Sequence, residues 1–247
     1  MLTKEQLREI HDESVPLHIL ELDYIQSIIL KHIYLREDML VFKGGTCLRK
    51  IHKLNRFSED LDFNILKGDP KEMLEHGIKG LKRTGIDAEI SHFDDRKDVC
   101  LAKIRYSGPL YQGKTLSRGS IQIDIFKYKV HKTTAWSTIM ENYADVGTYS
   151  LKVMDPQEIL AEKFRALVQR EMPRDLYDIW FLLNIGISLD TELLEQKFTD
   201  LGMEPKEPKN ILEEYSTSGW ERDMENLIHR VPKKETILGD IKKRIGL

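Results

Sequence analysis

Hydrophobic and polar positions follow two different periods along the chain. Up to about residue 154, several segments alternate every second residue, which is the period of a strand. Leu61, Phe63 and Ile65 alternate with polar neighbours, and residues 121–125 repeat isoleucine in the same way. The pattern predicts strands at about 39–42, 60–65, 87–92, 99–106, 120–127 and 151–154, with helices at about 3–12, 17–34, 46–53 and 70–83.

Capping signals support the ends of two predicted helices. Thr3 and Gln6 have the spacing of a capping box. Asp155 and Pro156 combine an N-cap with a proline at the first helical position, and a helical period continues from there. We therefore predict a mixed α/β half over residues 1–154 and a helical half over residues 155–247.

Composition narrows the class of protein. The 247 residues are 40% hydrophobic, which is enough for one large or two small cores, and a net charge of −3 excludes a global basic field. Cys47 and Cys100 show neither a disulfide framework nor zinc-ligand spacing. The charged first residues are unlike a signal peptide, and no apolar run approaches the roughly 20 residues that span a bilayer. We expect a cytoplasmic protein without membrane contact, and a monomer by default.

A pair of glycines separates a predicted buried strand from a predicted helix. At Gly44 and Gly45, missing side chains let phosphate oxygens approach the backbone amides, and a helix N-terminus favours negative charge. Thr46 adds a hydroxyl donor. An ordinary strand–helix turn explains the same three residues, so the motif alone does not decide for a phosphate site.

Three aspartates are candidate metal ligands. Asp60 and Asp62 lie two apart on a predicted strand, so both carboxylates leave one face and can bind Mg²⁺. Asp124 is a single charge in an apolar strand, where desolvation is costly unless a metal or cation compensates it. If the two strands are neighbours, three carboxylates converge and Asp124 can orient or deprotonate a nucleophile. A solvated polar face or an edge-strand position explains the same residues.

Lys163 lies on a helical stripe expected to be buried, among Leu160, Phe164 and Leu167. One interpretation directs its ammonium to a triphosphate, and the other lets it snorkel to solvent. Asp175 begins the next helix, where the helix dipole alone explains a carboxylate. It can also pair with Lys163 or with Arg174.

Other chemistry is poorly supported. The eight histidines show no metal spacing, and Ser58 has no evident base partner, which argues against a serine hydrolase. Two basic clusters can track a phosphate backbone or can be solvated helix faces. They comprise Lys43, Arg49, Lys50, Lys53 and Arg56, and then Arg230, Lys233, Lys234, Lys242, Lys243 and Arg244.

Two sequence blocks together resemble the AbiEii nucleotidyltransferase toxins. The first runs Phe-Lys-Gly-Gly-Thr-Cys-Leu at residues 42–48 and Arg-Phe-Ser-Glu-Asp-Leu-Asp-Phe at residues 56–63. The second is Glu-Ile-Leu-Ala-Glu-Lys at residues 158–163, followed by Arg-Asp-Leu-Tyr-Asp-Ile-Trp at residues 174–180. The resemblance covers roughly residues 15–185 and leaves the C-terminal part, residues 187–247, without a role.

The resemblance implies an α/β (α+β) fold, with a polymerase-β-like core and mixed sheet followed by a helical domain. It implies a toxin with a separately encoded antitoxin, transferring nucleotides from an NTP to RNA, with tRNA 3′ ends the acceptor in some members. Mg²⁺ or Mn²⁺ is the expected cofactor. The implied site residues are Asp60, Asp62 and Asp124 for metal, Gly44, Gly45, Thr46, Ser58 and Lys163 for the nucleotide, and Lys163 and Asp175 with the three aspartates for catalysis.

Two alternatives remain beside transfer to RNA. The same site can modify a protein side chain, as adenylylating enzymes do. The chain can also be a non-catalytic module that binds a nucleotide or a partner. Intact aspartates at positions 60 and 62 argue against decay of the site.

Overall fold

A computed structural model describes residues 1–10, 15–36, 38–216, 219–225, 227–228 and 230–247. These residues form two compact units. The first comprises residues 1–51, 59–128 and 134–153, and the second comprises residues 52–58, 129–133 and 154–247. The predicted end of the first helix, near Asp12, lies outside the described residues.

The first unit contains four helices, seven strands and a short 3-10 turn in its described part. In chain order they are α1 (Lys4–Ile10), α2 (Leu17–Tyr34), β1 (Leu40–Lys43), α3 (Gly44–His52), β2 (Leu61–Ile65), α4 (Pro70–Arg83), β3 (Asp87–Asp95), β4 (Val99–Ser107), the 3-10 turn (Thr115–Ser117), β5 (Gly119–Phe126), β6 (Ala135–Met140) and β7 (Thr148–Val153).

The seven strands form one mixed sheet in the order β3-β4-β5-β2-β1-β7-β6. β2 pairs in parallel with β5, and β1 pairs in parallel with β7, whereas the other neighbours are antiparallel. The mixed sheet and the α/β class are therefore confirmed. The strands that carry Asp62 and Asp124, whose pairing the sequence left open, are neighbours.

One face of the sheet is apolar and covered. Leu61 and Phe63 of β2 pair with Ile123 and Ile125 of β5, and all four side chains are fully buried. The ring of Tyr34, at the end of α2, lies 6.5 Å from the ring of Phe63, centroid to centroid. Because side chains alternate between faces, the intervening aspartates of β2 and β5 lie on the opposite face.

The second unit is helical, as predicted from Asp155 onward. Its described helices are α5 (Pro156–Arg170), α6 (Pro173–Asn184), α7 (Thr191–Thr199), α8 (Pro208–Glu214), α9 (Trp220–Glu225) and α10 (Lys234–Arg244). The Asp155 carboxylate accepts from the Gln157 amide at 2.8 Å, which confirms the predicted N-cap. The predicted capping box is confirmed too, since Thr3 and Gln6 each donate a backbone N–H to the other's side chain.

The structure corrects several element boundaries. β2 begins at Leu61 rather than at Asp60, α3 begins at Gly44, and β3 continues to Asp95. β6 was not predicted, because its side chains are mostly exposed and Trp136 and Met140 interrupt the alternation of strand positions. Among the described residues, none of the helices has the length and apolar character that crossing a bilayer requires.

Candidate functional site

Asp62 and Asp124 lie side by side on neighbouring parallel strands. The register of β2 and β5 pairs Asp62 directly with Asp124, so both carboxylates leave the same face of the sheet. Both side chains are half-buried, as is Asp60, which precedes the first residue of β2. The fold thus brings together two aspartates that are 62 positions apart in the sequence, with the third two residues before Asp62.

The glycine turn lies against this aspartate pair. Gly44 has a φ of +74°, a left-handed conformation that favours glycine. A Cβ at Gly44 would lie 2.1 Å from Oδ2 of Asp62. The absence of a side chain therefore lets the Asp62 carboxylate reach the backbone at the start of α3, where amides can bind phosphate oxygens.

Thr46 connects the glycine turn to the aspartate segment. Its side chain is fully buried, and its hydroxyl donates to the carbonyl oxygen of Asp60 at 2.5 Å. From the sequence, this hydroxyl was expected to donate to a phosphate. In this structure it donates to the protein backbone instead. The observed bond fixes the backbone at Asp60, next to β2.

Lys43 belongs to the same face, although the sequence placed it in a basic cluster. It is the last residue of β1 and pairs in register with Asp62. Only 4% of its surface is exposed, and its ammonium lies 4.3 Å from the centroid of the Phe126 ring. A lysine that ends a buried strand immediately before the two glycines was the available signal for a positive charge beside the aspartates.

The binding of one metal by Asp60, Asp62 and Asp124 stays a prediction. In the part of the chain that the structure describes, no group of three or more His, Cys, Asp or Glu side chains is arranged to hold a metal ion. Asp62 and Asp124 nevertheless supply paired hard oxygen donors on one face. This donor set suits Mg²⁺, which takes one or two carboxylates and completes its shell with water and substrate phosphates.

In the second unit, Lys163 lies in a buried cluster of ion pairs. Its ammonium is 2.9 Å from Asp175 and 2.7 Å from Asp178. Arg56 binds Asp178 with two parallel hydrogen bonds of 2.7 and 2.6 Å, and Arg170 binds Asp175. Asp175 thus pairs with Lys163, as the sequence allowed, and with Arg170 rather than Arg174. The snorkelling interpretation of Lys163 is wrong.

Charge pairing outweighs burial in this cluster. Burial favours the neutral acid at Asp175, but Lys163 and Arg170 hold the pKa of this carboxyl well below its usual range. Burial likewise disfavours the charged amine, yet Asp175 and Asp178 raise the pKa of Lys163. Lys163 and Asp175 are therefore both charged at neutral pH.

The first basic cluster largely forms internal contacts rather than a solvated face. Lys50 is buried and pairs with Asp23 at 3.3 Å and with Glu141 at 3.1 Å, while Arg49 pairs with Asp23. Ser58, expected near the nucleotide, is half-buried and belongs to residues 52–58 of the second unit. On α10, Arg244 donates to the carbonyl oxygen of Leu183 at 3.3 Å.

Comparison with known proteins decides the family. A profile described as "Nucleotidyl transferase AbiEii toxin, Type IV TA system" matches residues 28–239, which is most of the chain. The chain belongs to the AbiEii nucleotidyltransferase toxin family. No curated protein sequence matches it.

Solved structures share the fold of this chain. The nucleotidyltransferase toxin MenT4 from Mycobacterium tuberculosis H37Rv superimposes with a TM-score of 0.72 at 18% identity, covering 99% of this chain and 89% of that one. JHP933 from Helicobacter pylori superimposes with a TM-score of 0.62 at 19% identity, covering 94% of this chain and 92% of that one. The fold is therefore similar to that of MenT4 and JHP933. Membership of the AbiEii family makes this protein a nucleotidyltransferase.

The close approach of Gly44 to Asp62 can be tested with a matched pair of variants. Gly44→Ala adds a Cβ that meets the Asp62 carboxylate, so we expect both stability and nucleotide transfer to fall. Gly85→Ala is the control, because Gly85 has a similar φ of +83° and open space around it. The left-handed backbone conformation lowers the stability of each alanine variant by roughly 1–2 kcal/mol. Only Gly44→Ala should also lower the transfer rate, and equal rates for the two variants would contradict the proposed importance of this contact.

The buried cluster predicts a specific acid dependence of stability. Because the folded-state pKa of Asp175 is depressed, its stabilising contribution is present above the unfolded-state pKa and is lost as pH falls below about 4. Asp175→Asn should therefore be less stable than wild type at pH 7, with a difference that shrinks toward pH 3. Urea unfolding at several pH values measures this. A difference independent of pH would show that the charge of Asp175 is not the cause.

Proposed function

We propose that this AbiEii-family nucleotidyltransferase transfers a nucleoside monophosphate from an NTP to an RNA hydroxyl, the 3′ end of a tRNA, and releases pyrophosphate. The observation that carries the proposal is the register of Asp62 and Asp124 beside the glycine turn at Gly44. Carboxylates for a divalent cation and amides for phosphates are the groups that this reaction requires.

The roles follow from the arrangement in the first unit. Asp62 and Asp124, with Asp60 beside them, would hold Mg²⁺ or Mn²⁺, which when bound neutralises charge that develops on the triphosphate. The backbone amides of Gly44 and Gly45 bind phosphate oxygens at the start of α3. The hydroxyl of Thr46 keeps Asp60 in place, and Lys43 contributes positive charge on the face that receives the nucleotide.

Asp124 has a second proposed role, toward the acceptor. Its Oδ1 accepts a hydrogen bond from the Gln122 amide at 3.1 Å, which orients the carboxylate along β5. A carboxylate so placed can accept the proton of an attacking hydroxyl. The hydroxyl oxygen then forms a bond to the α-phosphorus as the bond to the leaving pyrophosphate breaks.

In the second unit, we assign Lys163 to phosphate binding and Asp175 to positioning its ammonium. Lys163 donates to Asp175 and Asp178, and the third N–H of its ammonium is the donor that we assign to a phosphate. Lys163→Met should then raise the KM for NTP. An unchanged KM in a folded variant would confine Lys163 to a structural role. Ser58 is a further candidate nucleotide contact.

The proposed reaction is tested by incubating the protein with each α-labelled NTP, divalent metal and total tRNA. Wild type should label tRNA, and Asp60→Ala should not. Equal labelling by both proteins would refute the assigned site. Label that appears on protein and never on RNA would identify a protein-modifying nucleotidyltransferase instead. Absence of both labelling and NTP binding would indicate a non-catalytic module. Membership of the type IV toxin family also implies a cognate antitoxin, which should suppress the labelling.

A further inference from the structure

A cavity of about 370 Å³ lies in the first unit, with Asp60 and Gln122 among its lining residues and no ligand assigned to it by the proposed function. It is lined by the first residues of α2, by β4 and β5, and by the segment that precedes β2. Its size is in the range of pockets that bind small molecules. A single nucleoside is therefore a ligand of suitable dimensions.

Strand β5 connects the lining of the cavity to Asp124. Leu61, the first residue of β2, pairs with Ile123, so residues 119–122 of β5 extend beyond the start of β2. Ser120 and Gln122 line the cavity and lie on the same face of β5 as Asp124. The hydrogen bond from Gln122 to Asp124 joins the cavity lining to the carboxylate assigned to the acceptor hydroxyl.

The sheet order places the cavity and the glycine turn on opposite sides of Asp62. The turn at Gly44 follows β1, on one side of β2, whereas the cavity is lined by β4 and β5, on the other side. In nucleotidyl transfer, the attacking and leaving oxygens are roughly in line through the phosphorus. If pyrophosphate leaves on the side of Gly44, the acceptor hydroxyl approaches from the side of the cavity.

The chemistry of the lining suits a nucleoside better than a phosphate. Leu22 and the exposed His18 supply apolar and flat surface, on which a base can stack, and Tyr106 is buried beneath the lining. The Tyr106 ring is held against the backbone of Gly119, where an added Cβ would lie 2.3 Å from ring atoms.

The charged groups of the cavity point to the same ligand. Glu21, Glu59 and Asp60 contribute carboxylates, which repel a phosphate but accept hydrogen bonds from ribose hydroxyls and base amino groups. Lys103 is exposed at the lining and can meet the phosphate on the 5′ side of a bound nucleoside.

We propose that this cavity binds the 3′-terminal nucleoside of the acceptor RNA, with its free hydroxyl directed to Asp124. This proposal rests on the proposed function and specifies how that site takes its acceptor. The residues that determine acceptor binding are then His18, Leu22, Ser120 and Lys103, which are separate from the residues assigned to the NTP.

The test fills the cavity and compares the two substrates. Ser120→Trp places an indole in the cavity from an exposed strand position, and Ser150→Trp, at an exposed position of β7, is the matched control. The indole would exclude the terminal base from the cavity, and base stacking contributes substantially to affinity. We therefore expect the KM for tRNA to rise about tenfold in Ser120→Trp. The KM for NTP should stay within twofold, and Ser150→Trp should match wild type. His18→Ala should shift the KM for tRNA in the same direction and covers the case in which Ser120→Trp does not fold.

A competition experiment provides an independent readout. A trinucleotide with a free 3′ hydroxyl should inhibit wild type competitively against tRNA and not against NTP, and Ser120→Trp should lose this inhibition. A rise in the KM for NTP alone, or an unchanged KM for tRNA in both variants, would overturn the assignment of the cavity. Failure of the proposed function is distinguishable, because wild type would then label no RNA at all.

Discussion

Replacing Asp62 by asparagine is expected to lower nucleotide transfer about a thousandfold. Asparagine keeps the shape of the side chain against Gly44 but removes the negative charge that we propose binds the cation together with Asp124. Stabilisation by a catalytic metal is worth several kcal/mol, and about 1.4 kcal/mol is a factor of ten in rate. The measurement is kcat/KM with saturating metal, together with the unfolding midpoint to show that the fold is intact.

Asp87→Asn is the matched control for this prediction. Asp87 is an exposed aspartate on β3, in the same unit and sheet as Asp62, and it is distant from β2 in the strand order. Its replacement should leave the transfer rate within twofold of wild type. A folded Asp62→Asn variant with a rate within fivefold of wild type would contradict the assignment of Asp62 to the reacting centre.

Replacing Arg56 by methionine is expected to destabilise the second unit by about 3–5 kcal/mol, because it removes one partner of a buried ion pair. The Arg56 side chain is almost completely buried, and Asp178 is fully buried, with two hydrogen bonds joining them. Methionine retains most of the volume of arginine, so little cavity is left. The loss of stability then arises from the Asp178 carboxylate, which stays buried without its partner. Urea unfolding of the full chain measures the change.

The Arg96→Met variant is the control for Arg56→Met, because it removes an ion pair that is not buried. Arg96 and Asp94 are also 2.6 Å apart, but the Arg96 side chain is largely exposed. Solvated ion pairs of this kind contribute little to the free energy of unfolding. The Arg96→Met variant should therefore unfold at the same urea concentration as wild type. Similar losses in Arg56→Met and Arg96→Met would show that burial of the Arg56 pair has no special importance.

Local patterns were sufficient for much of the fold and for part of the site. Capping signals at Thr3 and Asp155 predicted helix starts correctly, because a cap involves residues only two or three positions apart. The alternation in residues 61–65 and 121–125 likewise located β2 and β5. The same alternation placed Asp62 and Asp124 on the face opposite the apolar positions.

Contacts between distant segments could not be predicted from such patterns. The register that pairs Asp62 with Asp124 depends on the order of strands in the sheet, which no local period specifies. Arg56 and Asp178 are 122 positions apart, so the arginine looked like part of a solvated basic cluster. Thr46 was expected to face a ligand, but its hydroxyl binds the backbone of Asp60 once α3 packs beside β2.

The most direct test of nucleotidyl transfer compares two positions of the label in the same NTP. With wild type, tRNA and divalent metal, label in the α-phosphate should become covalently attached to RNA, while label in the γ-phosphate should be recovered as pyrophosphate. Asp62→Asn should show neither product. Transfer of the γ-label to RNA or to protein, without transfer of the α-label, would indicate a kinase reaction and would contradict the account of this site.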